Sequence, residues 1–281
     1  MTPQTLLYLM SIDTPDDEIL SAANDAQAQN AQLDCLIVAE TPPLPFGAYG
    51  GIPYVNVAVP AAWPDEVRET TAKLADRVNE VEQLLARQAA SGMVNSVLAS
   101  DIDIGVVVAR HAGLADIAFV SPTLRTETAL FRAALNGVLF NSPIGALLNG
   151  SPLPNPEHVF IAWNAGLAAG RAIHAGMRYI TAAKTVTIGC FDPITRADAD
   201  GQEPGSDLAR WLSHKGCDVT VSQYPTGGEE IGRVLLDRSV DVGADLIIMG
   251  AYGHTRLREA VFGGTSRTMM EQTHLPVLFA H

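Results

Sequence analysis

The same alternation of short apolar runs and longer amphipathic segments occurs twice along the 281 residues. Strands alternating with helices form parallel sheets covered by helices on both faces and joined by right-handed crossovers. A doubled order indicates an internal repeat, so we expect an α/β fold of two tandem domains with five strands each. The predicted strands are 5–11, 36–39, 94–98, 117–120 and 144–148, then 159–163, 185–190, 219–223, 246–249 and 276–280.

The boundary between the two rounds lies in a proline-rich stretch, SPLPNPE. We therefore predict a first domain at 1–150, a linker at 151–157 and a second domain at 158–281. A second irregular stretch, 41–64, is rich in proline and glycine and is predicted to be a long loop or flap.

Glycines are concentrated around the last predicted helix of the second round. Gly250 and Gly253 follow a strand-like run, and Gly263 and Gly264 precede Thr265, Ser266 and a helix predicted at 267–272. Glycine lets backbone N–H groups approach a ligand closely, and a helix N-terminus favours an anion. This pattern predicts a phosphate cradle at the carboxyl edge of a parallel sheet, and its alternative is ordinary turn and cap chemistry.

The pattern Gly250-x-x-Gly253, nine residues, Gly263 and a small residue, with Leu275-Pro276-Val277-Leu278 after it, resembles the universal stress protein (UspA) family. The resemblance implies Rossmann-like domains of the adenine nucleotide alpha hydrolase kind, with ATP held by these glycines. It places the adenine at Cys190 and Phe191. Nucleotide-binding members of that family carry Ser or Thr after the third glycine, where this chain has Gly264. Thr265 or Ser266 could then supply the hydroxyl.

Asn164 follows the first strand of the second round, where ATP-binding relatives carry Asp. An amide oxygen can accept a ribose hydroxyl or a metal-bound water, but it lacks the charge that holds Mg²⁺ firmly. Mg²⁺ as a companion of ATP therefore stays open. The alternative role for Asn164 is the N-cap of the following helix.

The two rounds differ at the glycine segment. The first round has Ser121 to Glu127 after its fourth strand, without a glycine, and Gly137 lies at the end of its last helix rather than at the start. A β-carbon at these positions would crowd a phosphate against the backbone. We infer that the first domain has lost the pocket and has a structural or regulatory role.

Charge and composition exclude several partners. The formal net charge of −13 argues against nucleic acid, which requires clustered Lys and Arg. No apolar stretch reaches the length of a membrane span, and the N-terminus lacks the features of a signal peptide. Cys35, Cys190 and Cys217 lie in or beside apolar runs, as expected of buried thiols in a reducing cytoplasm.

Catalytic and metal-binding patterns are absent from the sequence. There is no His-x-x-x-His or Cys-x-x-Cys pair, no Gly-x-Ser-x-Gly elbow and no Walker P-loop. The acidic residues between 192 and 203 lack EF-hand spacing and are expected to form a solvated loop. We therefore expect no catalytic residues, no metal ligands and at most a slow ATPase.

Three functions remain open at this point. The first is a tandem universal stress protein that binds ATP in its second domain and regulates a stress response. The second is a nucleotide-free scaffold with a decayed site, or a protein that binds another small ligand. The third is an enzyme on the same architecture. We also expect strands 144–148 and 277–280 to pair, forming an intramolecular pseudo-dimer of the two domains, and further homo-oligomers are open.

Overall fold

A computed structural model describes residues 4–43, 62–150, 155–196, 201–251 and 264–281. The predicted 41–64 loop, the 151–157 linker and the acidic loop therefore lie partly outside the described residues, and Gly253 and Gly263 lie outside them entirely. The described strands are β1 (Thr5–Ser11), β2 (Gln32–Glu40), β3 (Val94–Ala99), β4 (Ile117–Val120), β5 (Gly145–Leu148), β6 (His158–Ala162), β7 (Thr185–Phe191), β8 (Val219–Tyr224), β9 (Leu246–Gly250) and β10 (Val277–Ala280).

Helices connect these strands in the predicted alternation. The described helices are α1 (Asp16–Ala28), α2 (Trp63–Arg87), α3 (Asp101–Ala112), α4 (Pro122–Thr126), α5 (Thr128–Asn141), α6 (Leu167–Ala175), α7 (Met177–Ala182), α8 (Ser206–Ser213), α9 (Ile231–Asp241) and α10 (Gly264–Glu271). The α/β class with mostly parallel strands is thus confirmed. None of these helices is long and apolar enough to cross a membrane.

Contacts divide the chain into two compact units. The first unit comprises Met1–Ala115 and Ser121–Ser142, and the second comprises Asp116–Val120 and Pro143–His281. Strands β4 and β5 therefore group with the second unit, although they precede the linker in sequence. The division into sequence domains at 1–150 and 158–281 stays a prediction about the duplication.

In the first unit, β2 lies between β1 and β3, and both pairings are parallel. All residues of β1 from Leu6 to Ser11 are buried. Burial on both faces is typical of a parallel strand and explains why the sequence of β1 is an almost continuous apolar run.

Helices α3 and α5 of this unit meet through two glycines. A β-carbon on Gly137 would overlap the carbonyl oxygen of Gly105 and lie 2.8 Å from its Cα. The prediction that Gly137 lies at the end of the helix is therefore wrong. Gly137 lies inside α5. It is a glycine because the close approach of α3 leaves no room for a side chain.

In the second unit the strand order is β4–β5–β10–β9–β6–β7–β8. Most pairings are parallel, and β5 pairs with β10 antiparallel, with Leu147 opposite Leu278. The predicted pairing of these two strands is confirmed. The wider idea of a pseudo-dimer stays a prediction.

One asparagine anchors the end of β5 to the turn that precedes β10. The Asn149 amide nitrogen donates to the carbonyl oxygens of Gln272 at 2.8 Å and Leu275 at 3.0 Å. Its backbone is left-handed, with φ of 61°, a conformation that asparagine tolerates better than most residues. Asn149 therefore helps to position β10 beside β5.

Two short helices and one boundary differ from expectation. Helices α4 and α7 were not predicted, because five or six residues show little periodicity. Helix α10 begins at Gly264 rather than at Arg267, so Gly264, Thr265 and Ser266 belong to its first turn.

Substitution of Gly137 by alanine tests the α3–α5 contact. Because the new methyl group would overlap Gly105, the free energy of unfolding should fall by about 1–3 kcal/mol. Gly113→Ala is the control, because its β-carbon would lie 3.5 Å from the nearest atom, an ordinary contact. Urea unfolding followed by circular dichroism measures both, and equal stability of the two variants would contradict the close contact.

Substitution of Asn149 separates its hydrogen bonds from its backbone conformation. Asn149→Gly keeps the left-handed backbone but loses both bonds, and should cost about 1–2 kcal/mol. Asn149→Ala adds the strain of a β-carbon at positive φ and should cost about 1 kcal/mol more. Chemical unfolding gives both values, and wild-type stability in the glycine variant would show that the bonds contribute nothing.

Candidate functional site

Three strand ends of the second unit meet at one edge of its sheet. Strand β6 lies between β9 and β7, and all three run parallel, with Ala162 opposite both Met249 and Gly189. Parallel strands bring their carboxyl ends to the same edge, where ligands of open α/β sheets bind. Asn164, Phe191 and Gly250 therefore lie at or just after strand ends on this edge.

A small pocket opens at this edge. Three of the predicted site residues line it, together with an indole and two prolines: Trp163, Asn164, Cys190, Phe191, Pro193 and Pro204. Its total empty volume, about 210 Å³, includes open solvent, and the enclosed part holds little more than a water molecule. The pocket lies where the family resemblance places the adenine, but it is too narrow to hold a base.

Asn164 forms a turn rather than a helix cap. Its side-chain oxygen accepts the backbone N–H of Gly166 at 3.1 Å, and Ala165 between them is left-handed, with φ of 55°. Gly166 is the N-cap residue of α6, so the interpretation of Asn164 as the N-cap is wrong. The exposed amide stands at the rim of the pocket.

Cys190 and Phe191 alternate between the two faces of β7, as successive residues of a strand do. The buried Cys190 would lie 3.2 Å from a β-carbon on Gly205, whose φ of 83° also requires glycine. Phe191 stacks on Tyr224, with ring centroids 5.3 Å apart. One wall of the pocket is therefore fixed by an aromatic pair and the other by a close glycine turn.

A carboxylate latches the two loops that follow β7 and β8. Asp192 is left-handed, with φ of 42°, and accepts hydrogen bonds from both the hydroxyl and the N–H of Thr226. Both bonds lower the pKa of the Asp192 carboxyl, and the bond from the Thr226 hydroxyl has the larger effect. This Asp192–Thr226 latch holds together the segments that follow β7 and β8.

Gly250 is needed for packing. A β-carbon there would lie 2.5 Å from the backbone nitrogen of Ala169 and 2.6 Å from the carbonyl carbon of Ala168. The first turn of α6 therefore sits directly on the end of β9. This contact explains Gly250 without reference to a phosphate.

The three residues predicted to follow the glycine loop occupy different environments. Gly264 is exposed at the start of α10, Thr265 is half-buried beside α9, and Ser266 is 5% exposed. Of the three, Gly264 presents the most open backbone to solvent.

Glu230 lies beside the start of α10 and was not predicted from the sequence to be near this edge. It caps α9 by accepting the N–H groups of Gly232 and Arg233 at 3.0 and 3.1 Å, and it also accepts the Thr268 hydroxyl of α10 at 3.0 Å. The available signal was an acidic residue at the start of the helix predicted at 229–242, and the structure places Glu230 just before that helix as its N-cap.

The segment that follows β4 in the first half is held by hydrogen bonds within the chain. Ser121 caps α4 by accepting the N–H of Leu124, and its hydroxyl also bonds to that of Thr14. The Glu18 carboxylate accepts the N–H and the hydroxyl of Thr123 at 3.3 and 2.7 Å. These contacts suit the prediction that the first half lacks an anion pocket, which stays a prediction.

Acidic groups at the site are committed to protein hydrogen bonds. Asp192 and Glu230 are engaged as described above, and within the described ranges no three His, Cys, Asp or Glu side chains converge as metal ligands. What the described part of the edge offers a ligand is an amide, aromatic walls and a helix start.

Comparison with protein families gives a match for the segment that contains β8 to β10. The model of the universal stress protein family matches residues 218–281. No curated protein sequence matches the chain.

Solved structures match the chain over nearly its whole length. A universal stress protein from Archaeoglobus fulgidus DSM 4304 is 13% identical with a TM-score of 0.60, covering 98% of this chain and 97% of that one. A putative universal stress protein from Pseudomonas aeruginosa UCBPP-PA14 is 13% identical with a TM-score of 0.57, covering 99% and 93%. A functionally unknown protein from Pseudomonas aeruginosa PAO1 is 16% identical with a TM-score of 0.53, covering 99% and 92%. Residues 218–281 therefore match the universal stress protein family, and the chain as a whole has the fold of solved universal stress proteins of about its own length.

Proposed function

We propose that the chain binds an adenine nucleotide, ATP or a close relative, at the carboxyl edge of the second unit's sheet. The observation that carries the proposal is the meeting of Asn164, Phe191 and Gly250 at one edge, where the family-matched segment also supplies the glycine pattern. The packing of Gly250 and the turn at Asn164 do not explain why positions 253, 263 and 264 are also glycines.

Each part of the ligand has a place in this arrangement. The base lies against Cys190 and Phe191, the ribose lies near the Asn164 amide, and the phosphates approach the start of α10. Gly253 and Gly263 complete the phosphate cradle by their position in the sequence, and Thr265 and Ser266 remain the hydroxyls nearest to it. Because the enclosed pocket holds little more than a water, Pro193, Pro204 or Trp163 must move to admit a base.

The proposed role is binding rather than catalysis. The acidic side chains at the edge are held by Thr226 and by the starts of α9 and α10, so none is placed as a free general base. Occupancy would change the conformation or association of the protein and report energy or stress status. None of the three cysteines forms a disulfide and two of the thiols are buried, which suits a reducing cytoplasm as the location.

A nucleotide-free scaffold is the second candidate, and the narrow pocket favours it. In that case the protein acts through its surfaces, either as the pseudo-dimer of its two halves or as a homo-oligomer. The two candidates differ in one measurable quantity, which is nucleotide bound per chain.

Equilibrium dialysis with ATP and AMP tests nucleotide binding, with Gly253→Val as the disabling variant. A valine there should abolish binding and leave the circular dichroism unchanged, because its side chain would fill the room of a phosphate. Gly170→Ala is the control, since its β-carbon meets nothing within 4 Å. Gly250 is unsuitable, because its substitution would displace α6. Equal affinity of the valine variant and the wild type would discard the assignment, and no binding by the wild type would favour the scaffold.

Asn164→Asp tests the position of the ribose and phosphates. An aspartate can still accept the Gly166 N–H, so the turn should persist, and its added charge should hold Mg²⁺ beside the phosphates. We expect the dependence of ATP affinity on Mg²⁺ to become several-fold stronger. Asn164→Ser, which adds no charge, should leave that dependence unchanged, and an unchanged dependence in the aspartate variant would place the phosphates elsewhere.

A further inference from the structure

The Glu230 carboxylate is wedged between the first turns of α9 and α10. Its two oxygens accept three hydrogen bonds, two from backbone N–H groups of α9 and one from the Thr268 hydroxyl of α10. Although Glu230 is exposed, these bonds hold the carboxylate in one place.

This carboxylate lies beside the residue proposed to face the phosphates. A β-carbon on Gly264 would lie 3.4 Å from Glu230 Oε1. Gly232 allows the approach, because a β-carbon there would lie 2.8 Å from the same oxygen and 3.0 Å from the Cα of Thr265. The start of α10 therefore already has a fixed negative charge at its side.

We infer that Glu230 is a specificity-determining residue that selects adenine ligands with little uncompensated negative charge, such as AMP or cation-complexed ATP, over free ATP. The inference rests on the proposed function. A helix N-terminus favours one anion, but a neighbouring carboxylate repels each further negative charge, so the penalty grows from AMP to ATP.

Hydrogen bonds to α9 and α10 oppose movement of the Glu230 carboxylate away from this place. Turning the carboxylate out would leave the N–H groups of Gly232 and Arg233 without their cap and would release Thr268. Loss of an N-cap destabilises a helix, so the charge is retained at the helix start for a structural reason.

Glu230→Gln tests the inference, with Glu229→Gln as a control of equal charge change in the same loop. Glutamine keeps an acceptor oxygen for the cap and removes the charge. Without Mg²⁺ and at low salt, Glu230→Gln should tighten binding of ATP roughly three- to tenfold and of AMP by less than about twofold. Glu229→Gln should leave the ATP-to-AMP affinity ratio close to that of the wild type. Isothermal titration gives all the affinities, and thermal unfolding checks that the variants are folded.

The wild-type protein provides a second readout that needs no variant. It should bind AMP at least as tightly as free ATP, and added Mg²⁺ should improve ATP binding more than AMP binding. Tighter binding of free ATP than of AMP by the wild type, or equal ratios in the two glutamine variants, overturns the inference while the proposed function stands. No binding of either nucleotide by any variant overturns both.

Discussion

The candidate site depends on how closely the first turn of α6 approaches the end of β9. Only a glycine at 250 lets the backbone of Ala168 and Ala169 come within contact distance. The parallel pairing of β6 with β9 places Trp163 and Asn164 beside β9, and the pairing of β6 with β7 adds Cys190 and Phe191 to the same edge. A packing constraint thus assembles the edge before any ligand is considered. Glycine at this position is consistent with a binding site, but packing alone is sufficient to require it.

The sequence predicted the strands well because buried parallel strands are short, continuous apolar runs with clear ends. Strand β4 was predicted at its observed bounds because Asp116 and Ser121 flank four apolar residues. Helix α4 was missed for lack of periodicity, although Ser121 followed by Pro122 is a recognisable cap and first helical position. The start of α10 was placed three residues late, because glycine and threonine are weak helix formers.

The candidate site was predictable where it follows from strand order and unpredictable where it follows from loop conformation. Asn164, Phe191 and Gly250 gather because each lies at or near the carboxyl end of a parallel strand. The Asp192–Thr226 latch depends on a non-glycine residue in a left-handed conformation, and the Gly205 turn depends on a close contact with Cys190. The position of Glu230 depends on how α9 packs on α10. Apolar periodicity carries no information about such contacts.

Carboxylates lie near the start of α4 and near the start of α10, and their hydrogen bonds differ. Glu18 accepts the backbone N–H of Thr123 itself, so an anion at the start of α4 would have to displace it. Among the described residues of α10, Glu230 accepts a hydrogen bond only from the Thr268 hydroxyl, and Gly264 is exposed. Gly264, the first described residue of α10, is therefore exposed and has a negative charge beside it. For the proposed nucleotide, attraction by the helix dipole would compete with repulsion by Glu230, so the charge of the ligand should decide the balance.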